Sequence, residues 1–382
     1  MTRFMTTAII VIAVCAQVGS VCRADSTPQP ILYKAVDLTV QGESYPWRLV
    51  NTDGTNIGSF KGFCAVWAPN GLTYAVVTDG GIDLVTPDGK TTTHLYQNYT
   101  SWFPSKCAVW SADGKRLAVP ATSKSDDPQK AQGLLVIFDV TTHALVKSIS
   151  VPAPNQVAWS HDSKEIIEEQ RPDTVSDGSA HFHIIDTSTW TTSEIKFAAT
   201  VVSWWALLPD DKSLLGVTSA AGASGESTPA AVSLLSLKDS KITVLLDAGK
   251  LRSAGVLLSD TSVLALSPDG TKLAVSDASP DQKTFVIVAY DVGVEGGTHL
   301  INLHTIYGPN ADAPLAISWS PSGQQLATIT FLISRQMAIP SLSIVDLQAS
   351  KVSKIANLDR FPYDPMIVYM YFVVRPCLNW GN

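Results

Sequence analysis

Leu264-Ala-Leu-Ser-Pro-Asp-Gly-Thr-Lys-Leu-Ala-Val275 consists of a short apolar segment, a Ser-Pro-Asp-Gly turn and a second apolar segment. Proline fixes φ at about −65° and cannot donate a ladder hydrogen bond, whereas aspartate bonds to the backbone that follows it. Glycine adopts the positive φ that a tight reversal needs. Two apolar segments around such a turn predict a β-hairpin.

The same hairpin signature recurs along the chain at intervals of 43 to 59 residues. The copies are Trp67-Ala-Pro-Asn-Gly71, Trp110-Ser-Ala-Asp-Gly114, Trp159-Ser-His-Asp-Ser163, Leu207-Leu-Pro-Asp-Asp211, Leu266-Ser-Pro-Asp-Gly270 and Trp319-Ser-Pro-Ser-Gly323. A third apolar segment, such as Leu135 to Val140, and a fourth, such as Leu145 to Val151, follow each hairpin. Each interval therefore holds four antiparallel strands, and a repeat of this length is typical of propeller blades.

These repeats predict an all-β fold, a β-propeller of four-stranded antiparallel blades. Tyr45 to Lys61 resembles the outer two strands of a blade that lacks its hairpin, so the matching hairpin should come from the other end of the chain. Counted in this way the ring has seven blades, and without that pairing it has six. No seventh turn motif follows Leu358, so either the last blade is incomplete or the end of the chain has been truncated or altered by a frameshift. The apolar run Met366 to Val374 is the candidate closing strand.

The pattern Trp-Ser-Pro-Asp-Gly-Lys-Arg-Leu-Ala is matched best by Trp110 to Val119, Leu266 to Val275 and Trp319 to Thr328. It resembles the WD-like repeats of TolB-type propellers, and the resemblance covers about residues 45–360. It implies the fold rather than one activity. Similar repeats occur in periplasmic TolB proteins, in the propeller domains of prolyl oligopeptidase-type enzymes and in other exported proteins.

The N-terminal segment 1–24 has the layout of a secretory signal peptide. It carries Arg3, an apolar run from Ala8 and small residues before a cut preceding Asp25. The alternative is a membrane anchor, but the run is shorter than the ~20 residues that a spanning helix needs. We therefore expect an exported protein, periplasmic or extracellular, with no transmembrane segment in the mature chain. The expected divisions are a lead-in at 25–44, the propeller at 45–360 and an atypical C-terminal segment at 361–382.

The charge balance is acidic, with a formal net charge of −7. Removal of residues 1–24 takes away Arg3 and Arg23 and no acidic residue, so the mature chain carries −9. The sequence contains no basic run, which argues against a nucleic-acid partner. A content of 45% hydrophobic and 16% charged residues is sufficient for a buried core.

Catalytic motifs are missing from the sequence. The nearest approach to a nucleophile elbow, Gly222-Ala-Ser-Gly-Glu226, lies in a Ser/Ala/Gly-rich loop rather than between a strand and a helix. His181 and His183 share one face of a strand, as two metal ligands would, but alternating histidines are more often structural. We therefore assign no catalytic, cofactor-binding or metal-ligating residue and expect no cofactor.

One row of residues, three positions before the motif residue of each blade, is predicted to lie beside the central channel. The row consists of Cys64, Cys107, Gln156, Trp204, Val263 and Ala316. Only Gln156 is strongly polar, whereas a catalytic channel ordinarily shows converging titratable groups. The row favours binding over catalysis.

Cys64 and Cys107 occupy equivalent places in adjacent blades. A disulfide is compatible with export, but equivalent positions in neighbouring blades usually lie beyond the Cα separation of about 7 Å that a disulfide allows. The sequence therefore favours buried free thiols. With Cys377 the mature chain has three cysteines, so at least one is free or pairs between chains.

The motif tryptophans at 67, 110, 159 and 319 are interpreted as blade-to-blade packing residues rather than a sugar-binding platform. Three functions are compatible with these features. The favoured one is a non-catalytic exported scaffold that binds a protein partner or a cell-envelope component, with loops 121–133, 171–180 and 219–231 as candidates for contact. The alternatives are a propeller enzyme of hydrolase, lactonase or dehydrogenase type with its site in the channel, and a divergent TolB-like factor in envelope assembly.

Overall fold

The fold is described from a computed structural model. It describes residues 30–34, 46–62, 64–78, 81–95, 101–102, 107–123, 132–152, 154–170, 178–198, 200–220, 230–253, 258, 263–278, 285–292, 298–301, 313–334, 337–349, 351–357, 361–362 and 378–380. These residues form 30 strands and one short helix. The proposed signal peptide lies outside them. No helix within the described ranges is long and apolar enough to cross a membrane.

The strands form seven antiparallel sheets, the blades of a β-propeller. From the innermost strand outward, blade 1 is β30 (Leu378–Trp380), β1 (Ile31–Lys34), β2 (Pro46–Val50) and β3 (Asn56–Lys61); blade 2 is β4 (Cys64–Trp67), β5 (Tyr74–Thr78), β6 (Gly81–Val85) and β7 (Thr91–Leu95); blade 3 is β9 (Val109–Trp110), β10 (Arg116–Thr122), β11 (Gly133–Asp139) and β12 (Ala144–Ser150), with β8 (Ser101–Trp102) also on β10; blade 4 is β13 (Pro154–Trp159), β14 (Glu165–Gln170), β15 (Ala180–Asp186) and β16 (Thr192–Phe197). Blade 5 is β17 (Thr200–Leu207), β18 (Ser213–Ala220), β19 (Ala231–Ser236) and β20 (Ile242–Leu246); blade 6 is β21 (Val263–Leu266), β22 (Lys272–Ala278), β23 (Phe285–Val292) and β24 (Thr298–Ile301); blade 7 is β25 (Ala313–Trp319), β26 (Gln325–Ser334), β27 (Met337–Asp346) and β28 (Lys351–Asn357), with β29 (Phe361–Pro362) on β27. Helix α1 (Ala248–Ser253) lies between blades 5 and 6. The prediction of seven blades is confirmed.

The Ser-Pro-Asp-Gly turn forms the predicted hairpin between β21 and β22. The Ser267 amide donates to the carbonyl of Lys272 at 2.8 Å, and the Gly270 amide donates to the carbonyl of Ser267 at 2.8 Å. The Ser267 hydroxyl donates to Asp269 at 2.6 Å. Gly270 has φ +69°, which explains the glycine at this position. The backbone and the hydroxyl of the turn thus bond within the hairpin itself.

Blade 1 closes the ring in a way that differs from the prediction. The N-terminal part of the chain supplies three of its strands and β30 supplies the innermost one, rather than two strands from each end. Ile31 pairs with Trp380, so Trp380 holds the same register position as Trp159, which pairs with Ile166 in blade 4. No hairpin turn joins β30 to β1, because these strands come from distant parts of the chain. The seventh turn motif is therefore not needed, and Met366 to Val374 lies outside the described residues.

The core lies between the blades, where the motif tryptophans pack as predicted. Trp159 is fully buried, and its indole N–H donates to the Val109 carbonyl of blade 3 at 3.0 Å. Trp110 donates in the same way to Val66 at 3.2 Å, and Trp319 donates to Ala265 at 2.9 Å. In each case the acceptor directly precedes the motif residue of the neighbouring blade. The indoles thus set the stagger of one innermost strand against the next.

Candidate functional site

The two faces of the ring differ in the length of their connections. We call turn face the side of the ring that carries the connections from the first to the second strand and from the third to the fourth strand of each blade. Every connection on this face has four to six residues. The loop face carries the other connections, and their lengths vary widely. The shortest have two residues, as at 79–80, and those of nine or more residues lie at 35–45, 96–108 (with β8), 123–132, 171–179, 221–230, 247–262 (with α1), 302–312 and 358–377 (with β29). Variation in the repeat is therefore concentrated on one face.

The turn face is held together by hydrogen bonds between adjacent motif turns. Ser163 and Asp211 replace the motif glycine in blades 4 and 5 and still adopt positive φ, at 60° and 53°. The Ser163 hydroxyl accepts from the amide of Asp113 in blade 3 at 3.0 Å. Asp211 accepts from the amide of His161 in blade 4 at 2.8 Å and contacts its Nδ1 at 2.6 Å. Both departures from the motif thus bond the blades to each other.

The loop face carries the three loops that the sequence singled out, and they leave from consecutive blades. Residues 123–132, 171–179 and 221–230 connect the second strand to the third in blades 3, 4 and 5 respectively. Most of these residues lie outside the described part of the chain, but the strands that carry them are described. Three long segments therefore start from one sector of one face.

The predicted channel row lies at the loop-face end of the innermost strands, and its described members are engaged in structural contacts. The Gln156 amide donates to the Trp205 carbonyl of blade 5 at 2.6 Å. Trp204 and Val263 are buried in apolar clusters that span neighbouring blades, and Ala316 is buried as well. The row joins blades to one another, and its polar member is used in doing so.

Cys64 and Cys107 form a disulfide, so the expectation of free thiols is wrong. Their Cα atoms are 5.3 Å apart, within the range that a disulfide requires. The expectation failed because neighbouring blades converge toward the axis of the ring, where innermost strands approach each other far more closely than outer ones. This disulfide connects blades 2 and 3 at the loop-face end.

Between blades 4 and 5 the tryptophan hydrogen bond differs from that of the other blades, because its acceptor is a buried carboxylate rather than a backbone carbonyl. Blade 5 has Leu207 in place of the motif tryptophan, and Trp205, two residues earlier on the same strand face, fills the interface instead. The Trp205 indole N–H donates to Glu169 Oε2 at 2.9 Å, and Glu169 is 2% exposed. The repeat thus departs from its pattern at three positions together: Leu207 replaces the motif tryptophan, Trp205 fills its place, and Glu169 accepts the indole hydrogen bond.

Two histidine–glutamate pairs lie on the opposite face of blade 4. His183 Nδ1 is 2.7 Å from Glu168 Oε2, and Glu168 is fully buried. His181 Nδ1 is 2.8 Å from Glu194 Oε1 on the outermost strand. The two imidazoles share a face, as predicted, but each is held by its own carboxylate. No group of three or more metal-ligating side chains occurs in the described part of the chain.

Glu168 is exceptional among the seven blades. It lies on the second strand of blade 4, two residues after Ile166, which pairs with the motif residue Trp159. The equivalent residues in the other blades are all uncharged: Tyr33, Val76, Val119, Gly216, Val275 and Thr328. The hydrogen bond between the His183 imidazole and the Glu168 carboxylate raises the pKa of His183, and burial of the imidazole opposes this effect. Blade 4 therefore buries a histidine–glutamate pair where the other blades carry uncharged residues.

The sequence did not predict a role for Glu168 and Glu169, because the repeats were aligned by their turns and the second strands were not compared with one another. A row-by-row alignment of the second strands shows Glu168-Glu169 at two positions where no other blade has an acidic residue. The contact between His161 and Asp211 had no comparable signal, because it joins residues 50 positions apart in two blades.

Comparison with known proteins identifies the fold. No protein-family model matches the chain, and no curated protein matches it by sequence. An oligogalacturonate lyase from Vibrio parahaemolyticus is 11% identical with a TM-score of 0.57, covering 85% of this chain and 93% of that one. An oligogalacturonate lyase in complex with manganese is 13% identical with a TM-score of 0.54, covering 79% and 83%.

TolB from Acinetobacter baumannii is 14% identical with a TM-score of 0.46. The match covers 92% of this chain and 66% of the TolB chain. Identities this low establish a shared fold and no shared activity. The chain is thus a seven-bladed β-propeller, a fold that it shares with the two lyases.

Proposed function

We propose that this protein is a non-catalytic exported scaffold that binds a protein partner or a cell-envelope component through its loop face. The observation that carries the proposal is the asymmetry of the ring. The turn face repeats one short, internally bonded turn, whereas long connections leave blades 3, 4 and 5 side by side on the loop face. Loops on a rigid scaffold are where proteins commonly place binding residues.

The inner end of the loop face supports a binding role rather than a channel reaction. Cys64 and Cys107 are joined to each other, and Gln156 is bonded to a backbone carbonyl of the next blade. Glu168 and Glu169 are buried between blades, so a substrate in the channel has no direct access to their carboxylates. These groups hold the blades together, and the blades in turn position the loops.

The proposal is tested by affinity capture with residues 25–382 from the envelope and secreted fractions of the source organism. Three variants each replace one long connection, at 123–132, 171–179 or 221–230, by Asp-Gly, the pair that joins β5 to β6 at 79–80. The control is Leu72→Lys on the turn face, where the side chain is 67% exposed. Circular dichroism melting verifies that each variant is folded.

A stoichiometric partner that is retained by Leu72→Lys and lost by a loop variant supports the proposal. A partner retained by all three loop variants contradicts the assignment to the loop face. A bound metal or small molecule without a protein or envelope partner, detected by elemental and native mass spectrometry, overturns the binding role and favours the channel enzyme.

A further inference from the structure

The hairpin turn of blade 2 differs from the equivalent turns of other blades in two of its residues. Its sequence is Ala68-Pro-Asn-Gly71, whereas the turns of blades 3, 4 and 6 have serine at the first position and aspartate at the third. Asn70 is also followed by glycine, as no other asparagine of the sequence is. Blade 2 therefore carries a side-chain amide where these blades carry a carboxylate, directly before a residue without a side chain.

The serine hydroxyl of the other turns bonds to the turn from inside. In blade 3 the Ser111 hydroxyl donates to Asp113 at 2.7 Å and accepts from the Arg116 amide at 2.9 Å. Blades 4 and 6 have the same two bonds. Ala68 has no hydroxyl, so neither bond can form in the turn of blade 2.

The Asn70 side chain lies at the surface of this turn. Asn70 is exposed, and its Oδ1 accepts a hydrogen bond from the Leu72 amide at 3.0 Å. The Gly71 amide donates to the Ala68 carbonyl at 2.9 Å, and Gly71 has φ +65°. The backbone nitrogen of Gly71 is the nearest nucleophile to the Asn70 side-chain amide, and its bond to Ala68 must open before it can react.

We propose that Asn70 is a site of spontaneous covalent modification, and that the missing serine leaves the turn open to it. A base in solution takes the proton of the Gly71 amide, and the nitrogen attacks Cγ of Asn70. The bond between Cγ and the side-chain nitrogen breaks, and that nitrogen leaves as ammonia with a proton from water. Water then adds to either carbonyl carbon of the cyclic succinimide, and the ring opens to aspartate or to isoaspartate while the Gly71 nitrogen regains its proton.

The residues of this turn favour the reaction over the same reaction elsewhere in the chain. Glycine lacks the Cβ that would crowd the closing ring, and its backbone leaves the turn conformation readily. Without the serine hydroxyl, fewer hydrogen bonds hold Asn70 and Gly71 in the closed turn. The aspartates at the equivalent place in other blades react more slowly, because an ionised carboxylate is a poor electrophile.

The two products have different effects on blade 2. Aspartate is the residue that blades 3, 4 and 6 have at this place, so it keeps the backbone of the turn and adds one negative charge to the turn face. Isoaspartate carries the main chain through the side-chain carbons and so lengthens the turn. The bonds from the Gly71 amide to Ala68 and from the Ala68 amide to Thr73 (2.8 Å) then lose their geometry. This modification is independent of the proposed binding role.

The test is incubation of folded residues 25–382 in mildly alkaline buffer at physiological temperature, followed by proteolysis and mass spectrometry of every peptide that contains asparagine. Fragmentation by electron transfer distinguishes isoaspartate from aspartate. Asn70 should be converted first and to the greatest extent. Faster conversion of any other asparagine overturns the proposal. So does an unchanged Asn70 in the folded protein under conditions that convert a synthetic peptide of residues 66–76.

The variant Ala68→Ser tests the role of the missing hydroxyl. It installs the serine of the other turns at a position that is buried in blades 2, 3, 4, 6 and 7 alike. One restored hydrogen bond should slow the conversion of Asn70 by about fivefold. The same substitution in the synthetic peptide should have much less effect, because the peptide has no folded turn. Equal rates in folded Ala68→Ser and in the natural sequence contradict the proposal; if the variant does not fold, the comparison of asparagines in the natural sequence decides.

Discussion

The disulfide between Cys64 and Cys107 makes a quantitative prediction about the stability of the ring. The cysteines are separated by 43 residues in sequence. Closing a loop of this size in the unfolded chain removes entropy equivalent to about 4 kcal/mol at 25 °C. The variant C64A/C107A should lose most of that free energy of unfolding, since the bond restricts the unfolded chain far more than the folded one.

Equilibrium urea unfolding, followed by tryptophan fluorescence, measures the loss. Reduction of the unmodified protein is the matched control, because it breaks the bond and leaves both side chains in place. Since Cys64 is 1% exposed, the alanine variant should lose a further ~1 kcal/mol from the space left by its sulfur. Thiol titration of denatured residues 25–382 should give one thiol before reduction and three after it.

Unchanged stability after both treatments would refute the reasoning, because the cross-link would then contribute nothing to the unfolded state. A lower free energy of unfolding in C64A/C107A but not in the reduced protein would show that the loss comes from packing around the sulfur atoms and not from the cross-link. Three thiols before reduction would show that the bond is not formed.

Three further predictions concern the frame of the ring. Trp159→Phe should cost about 1 kcal/mol more than Trp67→Phe in urea unfolding, because the Trp159 indole donates a buried hydrogen bond, whereas the buried Trp67 Nε1 has no acceptor among the described residues. Gly270→Ala should cost more than about 2 kcal/mol of unfolding free energy, because the added methyl group overlaps the ring of Pro209 in the preceding turn. The control Gly89→Ala, also at positive φ but in open space, should cost only about 1 kcal/mol. Equal losses would contradict this packing. Deletion of Leu378–Trp380 should abolish cooperative unfolding in calorimetry, because blade 1 loses its innermost strand; an unchanged transition contradicts the closure.

The repeat made the architecture predictable, because local turn chemistry specifies it. The Ser-Pro-Asp-Gly copies and the intervals between them identify four strands per blade, and the structure has them in that order. Packing of Trp159 and Trp319 between blades was predictable for the same reason, since a residue at a fixed place in every repeat faces the same neighbour.

Contacts between blades were predicted poorly, because they depend on how close two strands approach in space. The distance between Cys64 and Cys107 is a property of the ring and not of either segment. The same holds for Gln156, whose amide reaches the backbone of a strand 49 residues away. Closure through β30 was missed for another reason: a three-residue strand without an adjoining turn carries too little local signal.

The pairing of Ile31 with Trp380 determines when the molecule can be completed. Blades 2 to 7 are each made from one continuous stretch of chain and can assemble as the polypeptide is synthesised. Blade 1 cannot, and until residue 380 arrives the strand that awaits it presents unpaired backbone groups. Such an edge readily pairs with strands of other chains. Each molecule therefore passes through an interval in which a folding helper or a protease can distinguish the unfinished ring from the finished one.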